Sequence, residues 1–439
     1  MFSVPTTPAG HFITIFAVSA TLLILYLNFL NSATLCSGSD NFAVKNPIPH
    51  RSSFDKNNGS HSRKRQPISR EGPEIRQVVF AKVHKAASTT MQNIFLRFAF
   101  SRNLSLLLPN KKTSISEDTK IIARERVVPH PEGKKHYDIL CSHVLYDEKE
   151  ISNYFPESAV RIAIVREPLK QALSALKYYV FFWDPSGALT KGYWGHKKDP
   201  INGFLHHPEH FYNDKFGPST SYINNRMSVD LGFDLEGMEA AKKNQTKINA
   251  FIKKVEAQFD VVLVSDYFDE SLVLMRRILR WPMKDIIFLK SNVGEETKPA
   301  LRKKPLLNSS ILQKFRQWDM IDFQLYDHFL NIFLYTIARE QRFQEELKAF
   351  RTIQMDLKYF CHHDTESSSL RIPKSAWTET FTVLRSDCTF MTTDEVHLTE
   401  RARSLQQQRY SAYLARSTQS KPEKNKTANK VAGSKSTHV

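Results

Sequence analysis

The sequence predicts an α/β protein, a mainly parallel sheet covered by helices on both faces and preceded by one transmembrane helix. Short apolar runs at Val78–Ala81, Val160–Val165 and Phe259–Val264 alternate with stretches whose apolar residues recur at helical spacing, the pattern of strands joined by helical crossovers. The turn after the first run is basic and hydroxylic and opens a helix, which makes an anion site at the carboxyl edge of such a sheet. Phe12–Leu30 is an uncharged apolar run just long enough to cross a bilayer.

Residues 1–11 read as a short cytoplasmic tail and 12–30 as a retained signal anchor, because the basic n-region of a cleaved signal is missing. The first eleven residues hold no Lys or Arg, while Lys45 and Arg51 follow the run, so flanking charge mildly opposes that orientation. Sequons at Asn58, Asn103, Asn244, Asn308 and Asn425 favour a lumenal C-terminal side. Residues 31–74, rich in Ser, Asn, Pro and basic side chains, read as a flexible lumenal stem.

The main folded domain is expected over 75–398. Val78–Ala81 forms its first strand, and Met91, Ile94, Phe95 and Phe98 mark the helix behind it. Leu104–Leu108 and Tyr137–Cys141 are further strands, with polar 110–135 between them as a surface excursion. Val160–Val165 is the clearest buried strand, and Pro168 suits the first turn of the helix after it. Phe181–Ser221 is a long aromatic insertion suited to a substrate. Asn244–Gln258 is helical, Phe259–Val264 a strand, Phe268–Leu279 a helix, Ile286–Leu289 a further strand and Ser309–Tyr359 helical with interruptions. Residues 399–439 have few apolar side chains and read as a disordered polar tail.

With 439 residues, 41% of them hydrophobic, the chain can bury a sizeable core. A formal charge of +17 favours acidic partners, but the basic residues are dispersed and no nucleic-acid-binding signature is present, so nucleic acid is not expected. Cys36, Cys141, Cys361 and Cys388 lack metal-ligand spacing; Cys141 suits a buried thiol, and Cys361 with Cys388 is open to pairing in an oxidising compartment. His206, His207 and His210 stand in the insertion without the acidic or cysteine partners of a metal site, and no metal is expected.

Three loops would open on one edge of a parallel sheet: Lys85–Thr90, Ser142-His143, and Arg166 with its helix. Ser88 or a neighbour would cap the first helix, and Ser88, Thr89, Thr90 and the amides from Ala87 would surround an anion beside Lys85. This is no Walker loop, since the lysine precedes the hydroxyls by three residues. Arg166 and Ser174, two turns further on, can both donate to one phosphate. A histidine would serve as base: His143, at the end of its strand, is preferred, with His84 shaping the acceptor pocket, because His84 and Lys85 tend to face opposite ways. Trp183, Tyr193, Trp194, Phe204 and Phe211 could stack on a sugar or meet a lipid.

The stretches VVFAKVHKAASTTMQNI, VRIAIVREPLKQALSALKYY and FDVVLVSDYFDESLVLMRRILRW, with fainter INNRMSVDLGFD and WDMIDFQLYDHFLNIF, resemble the galactose 3-O-sulfotransferases. That family includes galactosylceramide sulfotransferase and consists of Golgi type II membrane enzymes. The resemblance runs from about Val78 to Tyr359. It implies a P-loop-like sulfotransferase fold, 3′-phosphoadenosine 5′-phosphosulfate (PAPS) as donor, and a galactose-terminated glycolipid or glycoprotein as acceptor. It puts Lys85, Ser88, Thr89 and Thr90 on the 5′-phosphosulfate loop, Arg166 and Ser174 on the 3′-phosphate, and His143 on the base. Two departures stand out. Ala86-Ala87 replaces glycine, and Gln171 stands where many carbohydrate sulfotransferases carry a basic residue. A kinase-like nucleotide enzyme is the alternative from another class; the missing Walker context and magnesium carboxylate oppose it.

Overall fold

The computed structural model describes residues 69–182, 200–211, 222–234, 237–289, 307–363 and 367–419. Phe12–Leu30 lies outside them; among the described residues no helix is long and apolar enough to cross a membrane.

Five parallel strands form the central sheet in the order β2-β3-β1-β4-β5. They are β1 Val78–Ala81, β2 Leu106–Leu107, β3 Ile139–Leu140, β4 Val160–Val165 and β5 Val261–Val264. β1 is central, with Val78 level with Ile139 on one side and Val160 on the other. Its four residues are buried, as expected of a strand covered on both faces. From β1 the chain leaves towards β2, and from β4 it leaves the opposite way towards β5. The crevice between the carboxyl ends of β1 and β4 is therefore a topological switch point, where such sheets bind ligands.

The helices that matter here are α1 Ser88–Arg102, α2 Pro168–Ala175, α3 Arg226–Asp230, α4 Gln245–Gln258, α5 Phe268–Leu279, α6 Ser309–Trp318, α7 Met320–Arg339, α8 Phe343–His362, α9 Arg385–Thr392 and α10 Glu395–Gln419. α4 starts at Asn244, whose side chain accepts from Lys247 N–H, and α6 at Asn308, which accepts from Ile311 N–H. One large core surrounds the sheet, and a second gathers Leu169, Phe204, Phe315 and Phe323 around α2 and α6. An antiparallel pair, β6 Ser369–Ile372 and β7 Phe381–Leu384, lies apart from the main sheet. Cys361 and Cys388 are joined, tying α8 to α9, and Cys141 is a buried free thiol.

Three expectations need correcting. Ile286–Leu289 is not a strand: Met283–Ile286 is a helical turn, and Phe288 gives its backbone N–H and C=O to the Gln354 side chain. The tail is not disordered from Thr399, because α10 runs to Gln419, with Leu398, Ala402 and Gln406 buried. It docks through polar groups that apolar periodicity cannot reveal. The Gln406 amide accepts from Leu106 N–H and donates to Leu106 C=O, both at 2.8 Å, and so closes the open edge of β2. Residues 110–135 are not a mere surface excursion. Ile115, Ser116, Ile122, Val127 and Val128 are buried, and Ile115 N–H donates to His143 C=O at 3.0 Å.

Candidate active site

The turn after β1 is built on two left-handed residues, Lys85 and Ala87, each with φ 59°. Ala87 is the N-cap of α1, and no side chain caps it, so the expected Ser88 cap is absent. The first free amides of a helix are commonly capped by the side chain of the N-cap residue, and alanine has no polar group to offer. The first amides of α1 are thus left for a ligand, with Ser88 buried and Thr89 and Thr90 half-buried beside them.

Arg166, at the end of β4, donates from Nη1 to the Lys85 carbonyl at 2.8 Å. The β1 and β4 loops therefore share one rim. Glu167 does not neutralise that arginine by a hydrogen bond; its carboxylate caps α2, accepting from Leu169 and Lys170 N–H. Ser174 sits half-buried two turns into α2. The Lys85 Nζ lies 3.8 Å from the centre of the Tyr178 ring. Burial, then repulsion from Arg166 and Lys82, offset in part by Glu395, lowers the Lys85 ammonium to about 8.

Sequence reasoning passed over Lys82. Its side chain is fully buried, pairs with Glu395 of α10 at 2.5 Å and donates to Gln92 at 2.6 Å. Thr89 Oγ1 also donates to Glu395, at 3.4 Å. Gln171 is turned inward: its Nε2 donates to the carbonyls of His84 (3.1 Å) and Tyr222 (3.3 Å), tying α2 to the turn after β1.

The two candidate histidines are stacked, ring centres 3.8 Å apart. His143 Nδ1 donates to the Lys82 carbonyl at 3.0 Å, which leaves Nε2 without the proton. Burial, then the charges of His84, Lys82 and Arg226, holds His143 well below the usual histidine range, so it is neutral. His84 has different surroundings. Its Nδ1 lies 3.0 and 2.9 Å from the two oxygens of Asp230, which also accepts from His84 N–H at 2.8 Å. Asp230 in turn pairs with Arg226 of α3, fully buried, at 2.8 Å. Attraction to Arg226 and His84 overcomes burial and keeps Asp230 ionised, below its ordinary range. At Gly232, φ +94°, an added Cβ would meet the Tyr146 carbonyl at 2.4 Å, so the segment that ends in Asp230 packs here only with glycine. The sequence signal for this pair was the i, i+4 spacing of Arg226 and Asp230 in RMSVD.

On the far side of His84 stands Glu117, Oε1 3.7 Å from Nε2, its Oε2 accepting from the Tyr222 hydroxyl at 2.7 Å. Tyr222 stacks on Tyr179 at 3.9 Å, and Arg226 lies over it. These groups gather around His84, beside the turn that carries Lys85. Of the aromatic candidates, Phe204 is buried against Phe315 and Trp318 and is core; Trp183, Tyr193 and Trp194 lie outside the described residues. His206 and His207 sit at the end of a short helix, Pro200–His206, and His207 pairs with Glu209. Among the described residues no group of three or more His, Cys, Asp or Glu is placed to hold a metal ion.

A doubly wound sheet with an uncapped helix N-terminus, two basic loops on one rim and a carboxylate-backed histidine next to Lys85 is an arrangement suited to group transfer from an anionic donor. The family model described as galactose-3-O-sulfotransferase matches residues 12–374. Among similar proteins are galactose-3-O-sulfotransferase 2 of Mus musculus (29% identical, 68% of this chain and 73% of that protein), that of Sus scrofa (30%, 67% and 71%), and galactosylceramide sulfotransferase of Homo sapiens (28%, 65% and 64%). The chain belongs to the galactose-3-O-sulfotransferase family, and is a sulfotransferase acting on galactose.

Proposed function

We propose that the chain moves the sulfuryl group of PAPS to the 3-hydroxyl of a terminal β-galactosyl residue on a glycolipid or glycoprotein. The observation that carries this is the Arg166–Lys85 hydrogen bond, which joins both anion loops into one rim. A doubly phosphorylated adenosine can then put its 5′-phosphate on the α1 amides, Ser88, Thr89, Thr90 and Lys85, and its 3′-phosphate on Arg166 and Ser174.

In the transfer, the galactose oxygen attacks sulfur while the bond from sulfur to the 5′-phosphate oxygen breaks. Lys85 neutralises the charge left on that phosphate, and the acceptor proton passes to a histidine. We assign it to His84 Nε2 rather than to the His143 preferred from sequence. Asp230 faces Nδ1 of His84 and would stabilise the imidazolium formed, whereas burial and the nearby Lys82 and Arg226 disfavour a charge on His143. His143 then serves as the flat wall that orients His84.

The reading places the enzyme as a single-pass type II protein of the Golgi membrane, anchored by Phe12–Leu30, with the catalytic domain lumenal. The sequons at Asn103, Asn244 and Asn308 lie exposed at helix ends, and the joined Cys361–Cys388 suits an oxidising compartment; both support it. The deciding assay supplies radiolabelled PAPS and a panel of glycans, with and without EDTA. Label on β-galactosides, unaffected by EDTA and lost in Lys85→Ala, is expected. Magnesium-dependent ATP hydrolysis without label transfer overturns the reading. His84→Ala should abolish turnover and His143→Ala reduce it; the reverse ranking exchanges the base.

A further inference from the structure

One charged group at the acceptor side of the rim has no part in the transfer just described. Glu117 belongs to a loop that sequence alone makes a surface excursion, yet that loop is fixed to the active site's own backbone. Ile115 N–H donates to the His143 carbonyl at 3.0 Å, and Leu145 N–H donates to the Ser116 carbonyl at 3.1 Å. The Tyr222 hydroxyl holds one carboxylate oxygen, and Tyr222 is itself clamped between Tyr179 and Arg226. The other oxygen, Oε1, is left 3.7 Å from His84 Nε2, outside hydrogen-bond reach. Burial works against its charge, but His84, the Tyr222 hydroxyl and Arg226 outweigh it, and the carboxyl is drawn down to about 2. It is an ionised acceptor at working pH.

His84 does not need a second carboxylate for its orientation, since Asp230 already occupies Nδ1. Glu117 Oε1 does, however, stand 3.7 Å from the Nε2 that an acceptor hydroxyl must reach. Neighbouring hydroxyls of a sugar ring stand about one hydrogen-bond length apart, so one can donate to Nε2 while the next donates to Oε1. We infer that Glu117 is the specificity-determining residue for the acceptor sugar, accepting a hydrogen bond from the hydroxyl vicinal to the one that is sulfated. The inference deepens the transfer reading and rests on His84 Nε2 as the proton acceptor. A ring lacking that hydroxyl leaves a charged acceptor unpaired in a half-buried site, and sites built to bind a hydroxyl reject such analogues strongly.

The test compares kcat/KM for a β-galactoside with its 2-deoxy and 4-deoxy analogues, in wild type and in Glu117→Gln, with PAPS saturating. Wild type should lose about 10- to 100-fold on at least one analogue, the size of a hydrogen bond to a charged group. In Glu117→Gln that penalty should shrink to about threefold or less, because the parent galactoside falls while the analogue does not. Binding of adenosine 3′,5′-bisphosphate, unchanged in the variant, reports that the donor side is folded. Glu117→Asp, keeping the charge on a shorter arm, should retain part of the discrimination. Should the penalties persist undiminished in Glu117→Gln, or should wild type treat all three sugars alike, the inference is overturned and the transfer reading stands. Should wild type label no galactoside at all, the transfer reading fails and takes the inference with it.

Discussion

Raising the pH above about 8 should weaken binding of the donor nucleotide, and Lys85 should be the cause. In the free protein its ammonium is lowered from 10.5 to about 8, by burial first and then by Arg166 and Lys82. A bound bisphosphate supplies the missing negative charge, so Lys85 has a higher value in the complex than in the free protein. The charged form is the one that binds. Affinity is therefore complete below pH 8 and is lost as pH rises from 8 towards the value in the complex, by no more than about tenfold per pH unit. If binding restores the ordinary value of 10.5, the whole loss is on the order of 300-fold, about 3 kcal/mol at 1.36 kcal/mol per unit. Stability of the free protein runs the other way. Its Lys85 is depressed relative to the unfolded chain, so between pH 8 and 10.5 the unfolded state holds more protons and stability rises with pH. Lys85→Met should then stabilise the unliganded protein by about 1–3 kcal/mol while abolishing transfer, a cost of function carried in the fold. Calorimetry with adenosine 3′,5′-bisphosphate, from about pH 7 to about 9.5 in two buffers of different ionisation enthalpy, measures both affinity and proton uptake. Lys85→Arg, charged throughout, should bind without the slope. A dissociation constant flat across that range, or the same slope in Lys85→Arg, would falsify the argument.

Three further outcomes follow from the same geometry. Asp230→Asn removes the charge facing His84 Nδ1 and should cut kcat by about 10²–10⁴ while leaving the donor KM near wild type, read from steady-state kinetics across pH. Glu395→Ala strands the buried Lys82 ammonium and should cost about 3–5 kcal/mol in denaturant unfolding, with Lys82→Met in the same chain restoring most of it. Ala87→Gly relieves a left-handed alanine and should raise stability by up to about 1 kcal/mol by the same measurement.

The sheet and its helices were legible because their signals are local. Val160–Val165 is an unbroken buried run, and its observed bounds are those read from the sequence. That Lys85 and Arg166 stand on loops of one sheet edge was legible for the same reason, Arg166 directly after β4 and Lys85 in the turn that follows β1. What stayed hidden depends on contacts far apart along the chain. Nothing near Glu395 marks it as the partner of a lysine more than three hundred residues earlier, and the polar face of α10 conceals a docking surface made of Gln406 and Arg403. Phe288 fails as a strand because a glutamine side chain takes its backbone groups, an arrangement no periodicity announces. The preference for His143 rested on its place after a strand. The proposal of His84 rests instead on the carboxylate behind its ring, and Asp230 arrives from a different element altogether.

The family match ends at residue 374, yet the site does not. α9 is joined to α8 through Cys361–Cys388, and the Phe390 carbonyl accepts from Asn93 on α1 at 3.0 Å. α10 then sets Glu395 against Lys82 and Thr89 at one end and closes the edge of β2 with Gln406 along its length. A helix N-terminus ringed by Lys82, Lys85 and Arg166 concentrates positive charge that is costly to bury without a donor bound. The C-terminal segment offsets that cost with one carboxylate, paired with the fully buried Lys82. The segment thus belongs to the folded unit that carries the candidate site, and a chain cut at the end of the family match would lose the carboxylate paired with Lys82.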